Sequence, residues 1–237
     1  MEKVISNAEF ISAIFPEDAN VAVCSKQGDP TEGGWLPQLY SGDLTLGDES
    51  NNYVNSSSFQ LEEDGVLNVQ KKNCKSFHFV LLDDLGTKIP LNRLGDFKPT
   101  WLIETSLGNF QGGIAFKDPI TDLAEAESVQ KSILNAGYGD RGAGGISRWA
   151  RMPVAINGKE KHLDEEGNPF QCKLTQWNPE VRYTVQELIE ALQLTLPKTD
   201  LDLRYDNEVY TPKASKNPII EALQERGLYK TPLGSGK

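Results

Sequence analysis

Two adjacent carboxylates, Asp83 and Asp84, close the apolar run Phe77-His78-Phe79-Val80-Leu81-Leu82 and precede Leu85-Gly86-Thr87-Lys88. Acidic side chains where a buried strand reaches the surface suit a hard divalent cation. Such an ion takes oxygen ligands and fills its remaining positions with water and substrate phosphates. The structural alternative is a strand followed by an Asp-rich turn, since Asp and Gly end strands in many settings. A second chemical signal lies in the glycine-rich segment 138–159, where Arg148 and Arg151 stand three residues apart. On a helical turn that spacing projects both guanidinium groups the same way, a fork suited to a triphosphate or a nucleic-acid backbone. A structurally ordinary loop with scattered arginines is the alternative.

The elements that must position these residues are mixed. Ser6 with Glu9 forms a capping box for a helix running to about Phe15. Asn20 to Ser25 reads as a strand, followed by a Gly- and Pro-marked loop near Trp35, and Phe77 to Leu82 reads as a buried strand from its continuous apolar run. Trp101–Ser106 and Asn109–Phe116 flank Leu107-Gly108, a two-residue connection that fits a β-hairpin. A helix is expected from Asp122 to Ala136, with Val129, Ile133 and Leu134 on one side and Gly137 just past its end. Thr184 and Glu187 cap another helix, running to about Leu194 and stopped near Pro197. A last helix starts at Asn217-Pro218 and ends at Gly227. There is no internal repeat.

The chain has 237 residues and a formal net charge of -10, which argues against a protein that coats nucleic acid non-specifically. Local charge differs. Arg141, Arg148, Arg151, Lys159 and Lys161 face Glu160 alone, and Lys71, Lys72 and Lys75 precede the Asp-Asp strand, so either a basic groove or a solvated surface fits. Cys24, Cys74 and Cys172 are odd in number, far apart and without Cys-x-x-Cys spacing, so reduced buried thiols are expected rather than disulfides or zinc ligands. No apolar run approaches a bilayer span and no signal-peptide pattern is present, so a soluble, cytoplasmic protein with no membrane partner is expected. Residues 1–197 read as one domain of good size, and 198–237 as a linker with a C-terminal helix. Asp200, Asp202 and Asp206 do not fit a calcium-loop template, and Gly234-Ser235-Gly236-Lys237 lacks two features of a Walker motif.

Three stretches in order carry a resemblance: Asp83-Asp84-Leu85-Gly86-Thr87-Lys88, Glu104-Thr105-Ser106-Leu107-Gly108-Asn109-Phe110-Gln111, and Ser147-Arg148-Trp149-Ala150-Arg151-Met152-Pro153 through Lys159. Together with Gln176-Trp177-Asn178-Pro179-Glu180-Val181-Arg182-Tyr183, they resemble the RepB-type primases of phages and plasmids, in the archaeo-eukaryotic primase superfamily. The resemblance implies an α+β fold: an RRM-like antiparallel sheet with packed helices and an additional αβ unit. It implies template-directed nucleotidyl transfer that starts primers on single-stranded DNA from nucleoside triphosphates, with Mg2+ or Mn2+. Asp83, Asp84 and Asp140 match the metal-binding carboxylates; Thr105, Ser106, Asn109, Gln111, Arg148, Arg151 and Lys159 match nucleotide-binding positions. Neighbouring strand residues face opposite ways, so Asp83 and Asp84 can share a metal only if the strand ends or bulges there. Many superfamily members carry Ser-x-His on the next strand. Here Asn109 and Gln111 lie nearest in pattern, which shifts phosphate binding onto the arginines. His78 is expected to be structural and His162 solvated. Such a tail commonly leads toward a helicase, either in the same protein or as a partner. Two other functions stay open: a non-catalytic origin- or hairpin-binding module, and a metal-dependent phosphodiesterase.

Overall fold

The computed structural model describes residues 4–42, 44–139 and 144–196. Asp140 and Arg141 lie outside the described residues, as do the expected linker and the helix from Asn217. Ten strands and three α-helices are described: α1 (Asn7–Ile14), β1 (Val21–Lys26), β2 (Gln38–Leu39), β3 (Asn51–Phe59), β4 (Cys74–Leu85), β5 (Trp101–Ser106), β6 (Asn109–Ile120), α2 (Leu123–Asn135), β7 (Trp149–Arg151), β8 (Ile156–Asn157), β9 (Phe170–Gln171), β10 (Lys173–Trp177) and α3 (Val185–Leu192). Both expected capping boxes form, Ser6 with Glu9 on α1 and Thr184 with Glu187 on α3. The hairpin at Leu107-Gly108 joins β5 to β6.

The main sheet runs β10-β5-β6-β4-β3-β1-β2, every pair antiparallel, with β7 attached to β3. Strands β8 and β9 pair beside it. One face packs Val80, Leu82, Leu85, Ile114 and Phe116 against Ala126, Val129 and Ile133 of α2 and Leu188 and Leu192 of α3. The other packs Phe79, Leu81, Trp101 and Ile103 against Phe10, Ile11 and Ile14 of α1 and against Ala150, Met152 and Ala155. The buried Trp101 indole fits only because Gly113 has no side chain: a Cβ there would stand 1.9 Å from the ring. Among the described residues no helix is long and apolar enough to cross a membrane. The three cysteines are free and buried, and burial pushes the Cys172 thiol up to about 11.

β3 is the element the sequence pattern hides. Its sequence Asn51-Asn52-Tyr53-Val54-Asn55-Ser56-Ser57-Ser58-Phe59 is mostly polar, yet eight of the nine residues are buried. Burial without partners would cost each polar group several kcal/mol on the harshest scales, about 4–8 for an amide or hydroxyl taken into hydrocarbon. Each therefore has one. Asn52 Nδ2 donates to the Gly47 and Val154 carbonyls at 2.8 and 2.9 Å, and the Ser56 and Ser57 hydroxyls donate to Ile146 O at 2.7 and 2.8 Å. Only the end of β3 pairs with β4, through Ser57, Ser58 and Phe59. Its first half pairs instead with β7, through Tyr53, Val54 and Asn55. β3 and β4 therefore fork, and β7 occupies the fork.

Candidate active site

Across β4 and β6, Leu82 opposes Gly112 and Leu85 opposes Phe110, so Asp83 and Asp84 together face the single residue Gln111. That is a β-bulge. Residues three apart on an unbroken strand point to opposite faces, yet Leu82 and Leu85 both enter the core beneath α2. The extra residue reverses the alternation and brings both carboxylates out on the other side. Asp84 supplies the bend, with φ at 57°. The acidic pair is thus neither a turn nor the strand's end; β4 continues through it to Leu85. Just beyond, Gly86 lies so close to the hairpin that a Cβ would stand 2.3 Å from Gly108 O, and Thr87 Oγ1 donates to Asn109 Oδ1 at 2.6 Å. The two turns lock together at one end of the sheet.

Both carboxylates are 27% exposed. Asp83 Oδ1 accepts from the Asp84 backbone N–H at 3.0 Å and from Gln111 Nε2 at 3.1 Å, while its Oδ2 lies 3.8 Å from Arg148. Asp84 Oδ2 pairs with Lys88 at 2.8 Å. The Lys159 ammonium is held below its ordinary pKa, chiefly by burial and then by Arg151 and Lys161, against the favourable charges of Asp83 and Asp84. Lys159 therefore sits within electrostatic reach of both acids.

The arginines do not form a helical fork. They lie on and beside a strand, because Trp149–Arg151 pairs with β3, and at that spacing strand side chains diverge. Arg148 turns toward Asp83 and stays partly exposed. Arg151 is buried: its guanidinium donates to Asn51 Oδ1 at 3.2 Å, to Asn157 Oδ1 at 2.9 Å and to Ile156 O, and lies 4.6 Å from the Tyr53 ring centroid. Among the described residues it has no carboxylate partner within ion-pair distance. Its backbone N–H donates to Gln111 Oε1 at 3.0 Å, which ties β7 to the acidic bulge. Thr105 and Ser106 are buried, and Asn157 Nδ2 donates to Thr105 O at 2.7 Å. The Thr105 side chain braces the hairpin, its Oγ1 accepting from Asn109 Nδ2 at 3.2 Å. Lys71, Lys72 and Lys75 lie at the other end of β4, about 25 Å from Asp83 at 3.3 Å per residue, and Lys71 pairs with Glu127 of α2. They build no groove with Arg148. His78 is buried, as expected of a structural residue.

Sequence reading missed Asn51, Tyr53 and Asn157 as parts of this site. Asn157 lies inside the Arg148–Lys159 motif and was findable there, whereas Asn51 and Tyr53 fall on the unrecognised strand. The donors fit a hard cation: two carboxylates on one side of a bulge, one of them steered by an amide. No group of three metal-binding side chains forms among the described residues, and Asp140 lies outside them.

Comparison with solved structures gives the same fold. The chain resembles the AEP domain of the cyanophage S-2L primase-polymerase with a TM-score of 0.55 and 12% identity, over 77% of this chain and 94% of that one. It resembles the catalytic domain of primase RepB′, determined in complex with initiator DNA, with a TM-score of 0.54 and 13% identity, over 88% and 100%. A further RepB′ primase structure gives a TM-score of 0.53 at 14% identity, over 80% of this chain and 61% of that one. No curated protein sequence matches the chain. The RepB DNA-primase N-terminal domain family matches residues 63–199, which span the acidic bulge, the hairpin and β7 and make up more than half of the chain; the protein belongs to that family.

Proposed function

We propose that this domain catalyses template-directed nucleotidyl transfer, starting primers on single-stranded DNA from nucleoside triphosphates with Mg2+ or Mn2+. The observation that carries the reading is the bulge in β4, which brings Asp83 and Asp84 to one side of the sheet beside Arg148 and Lys159. Asp83 and Asp84, with Asp140, would hold the divalent ions. Bound there, the ions would lower the cost of charge on the attacking 3′-oxygen and the departing pyrophosphate. Gln111 fixes the Asp83 carboxylate by its hydrogen bond. Arg148 stands close enough to Asp83 to move from it to a triphosphate, and Lys159 adds a second cation. Asn109 would offer its amide to the triphosphate from the hairpin, where Thr87 and Thr105 hold it, and Ser106, next to Thr105 in sequence, is buried.

The test is incubation with single-stranded DNA, labelled nucleotides and Mg2+ or Mn2+, with products sized on a gel. Primers from the wild type and none from Asp83→Asn are expected. Tight, sequence-selective DNA binding in EDTA, with no synthesis under any metal, would replace this reading with a hairpin-binding module.

A further inference from the structure

Beside the acidic site, Cys24, Trp35, Pro37, Tyr53 and Trp149 line a cavity of about 260 Å3. Its walls are aromatic and apolar. Trp35 meets Tyr53 edge-to-face at 5.3 Å, and the Trp35 indole N–H is already taken up by Pro30 O at 3.0 Å. Pockets for drug-sized ligands run to roughly 300–1,000 Å3, so this smaller space suits a planar heterocycle of one or two rings. Two cations lie against its walls: Lys26 Nζ lies 5.9 Å from the Trp35 ring, and the Arg151 guanidinium covers Tyr53. The pocket also adjoins the acidic pair. Asp83 is among the charges acting on the Tyr53 hydroxyl, whose pKa burial raises, and the residue next to Trp149 reaches Asp83 at 3.8 Å.

We infer that this pocket takes one unpaired base of the single-stranded template, stacked among Trp35, Tyr53 and Trp149, while Lys26 faces a flanking phosphate. Aromatic platforms flanked by positive charge are the chemistry that holds single-stranded nucleic acid without reading its sequence. Three rings and a proline can stack on a base only when its neighbours in a duplex are absent, so the occupant assigned is a base of an unpaired strand. An apolar peptide side chain would fill the same space but would draw nothing from the surrounding cations.

The inference deepens the primase reading and rests on it for the identity of the strand. Its test measures the affinity of the full chain for a fluorescent oligothymidylate by anisotropy, at fixed salt and without nucleotide. Stacking of one base on aromatic groups predicts that Trp35→Ala weakens binding about 5- to 100-fold and that Trp35→Phe retains most of it. In a second arm, each base in turn is replaced by an abasic linker with the wild-type protein. One position should reproduce the loss and add nothing in the Trp35→Ala background. Unchanged binding by Trp35→Ala, or an abasic scan whose effects simply add to the mutation, overturns the inference. The wild-type half of the abasic arm needs no variant to fold, and Trp35→Phe serves in the coupling measurement if Trp35→Ala does not fold. If the wild type makes no primers but the coupling persists, the primase reading falls alone; if primers form without coupling, the pocket falls alone.

Discussion

Gln111 holds Asp83 from the opposite strand, its Nε2 donating to Oδ1 at 3.1 Å while its Oε1 accepts the Arg151 backbone N–H at 3.0 Å. One amide thus fixes the orientation of the acid and the position of β7. Groups that orient metal ligands are typically worth 10- to 100-fold in affinity or activity. Gln111→Ala should therefore lower primer synthesis by about that factor and raise the Mn2+ concentration needed for half-maximal rate. A metal requirement equal to that of the wild type would show that Asp83 needs no such support.

Asp84 adopts a left-handed backbone at φ 57°, a conformation that costs a residue with a side chain about 1–2 kcal/mol. Asp84→Gly relieves that strain and gives up a partly exposed ion pair with Lys88, worth about 0–1 kcal/mol. Urea unfolding should then find the variant within about 1 kcal/mol of wild type, or more stable, while primer synthesis is lost. Activity would be bought with local strain. Full synthesis by the glycine variant would remove Asp84 from the mechanism.

Arg148 and Arg151 should separate cleanly in mutagenesis. Arg148→Ala leaves the core untouched and should weaken nucleotide binding by roughly 1.5–3 kcal/mol, the range for a hydrogen bond to a charged group. Arg151→Ala strands the buried Asn157 Oδ1, at about 1–3 kcal/mol for an unpaired group, and takes a donor from the Ile156 carbonyl and from Asn51 Oδ1, which keeps the Gly158 N–H. It should lower the unfolding midpoint before any nucleotide is added. Lysine cannot restore the three-way contact, since it lacks the planar fork. Normal thermal stability in Arg151→Ala would return that residue to a direct role in ligand binding.

Buried His78 has its pKa lowered to about 4, by burial first and by Arg182 next. Its Nε2 meets Ser58 Oγ at 2.9 Å, and Nδ1 has no partner among the described residues. The folded pKa lies below the ordinary 6.5, so the native state keeps the ring neutral. Above pH 6.5 neither state is protonated and nothing is lost. As pH falls from there toward about 4, only the unfolded chain takes up the proton, and stability declines by about 3 kcal/mol in all before levelling off. His78→Gln should flatten that part of the curve. Urea midpoints at pH 7.5, 6 and 5 read the slope directly; an equal slope in both proteins would assign the acid sensitivity to other groups.

The parts of this fold that were legible in the sequence carry local signals. The capping boxes of α1 and α3 and the Leu107-Gly108 hairpin are decided within a few residues, and all three form. β3 was not legible because its buried asparagines and serines are satisfied by carbonyls far along the chain, such as Ile146 and Val154. A polar run of that kind looks like surface until its partners are in place. The acidic pair was visible as chemistry but its geometry was not, since a bulge depends on the register against β6 rather than on β4 alone. The arginine spacing misled for a related reason: three residues apart means one face on a helix and opposite faces on the strand that forms.

The fork between β3 and β4 has a kinetic side. β5 meets β6 through a two-residue connection, whereas Tyr53 must find Arg151 almost a hundred residues away. Loop-closure entropy delays such distant pairings, so the body of the sheet should form first and the arginine strand should dock last. The same seam should open first in the folded protein. Amide exchange at Ser56 and Met152, both bonded across the β3–β7 seam, should then run faster than at Val80 or Ile114 in the centre of the sheet. The chain would pass through a form with an intact scaffold and an unfinished edge, in which Asp83 and Asp84 stand in place before β7 brings Arg148 and Arg151 in beside β3.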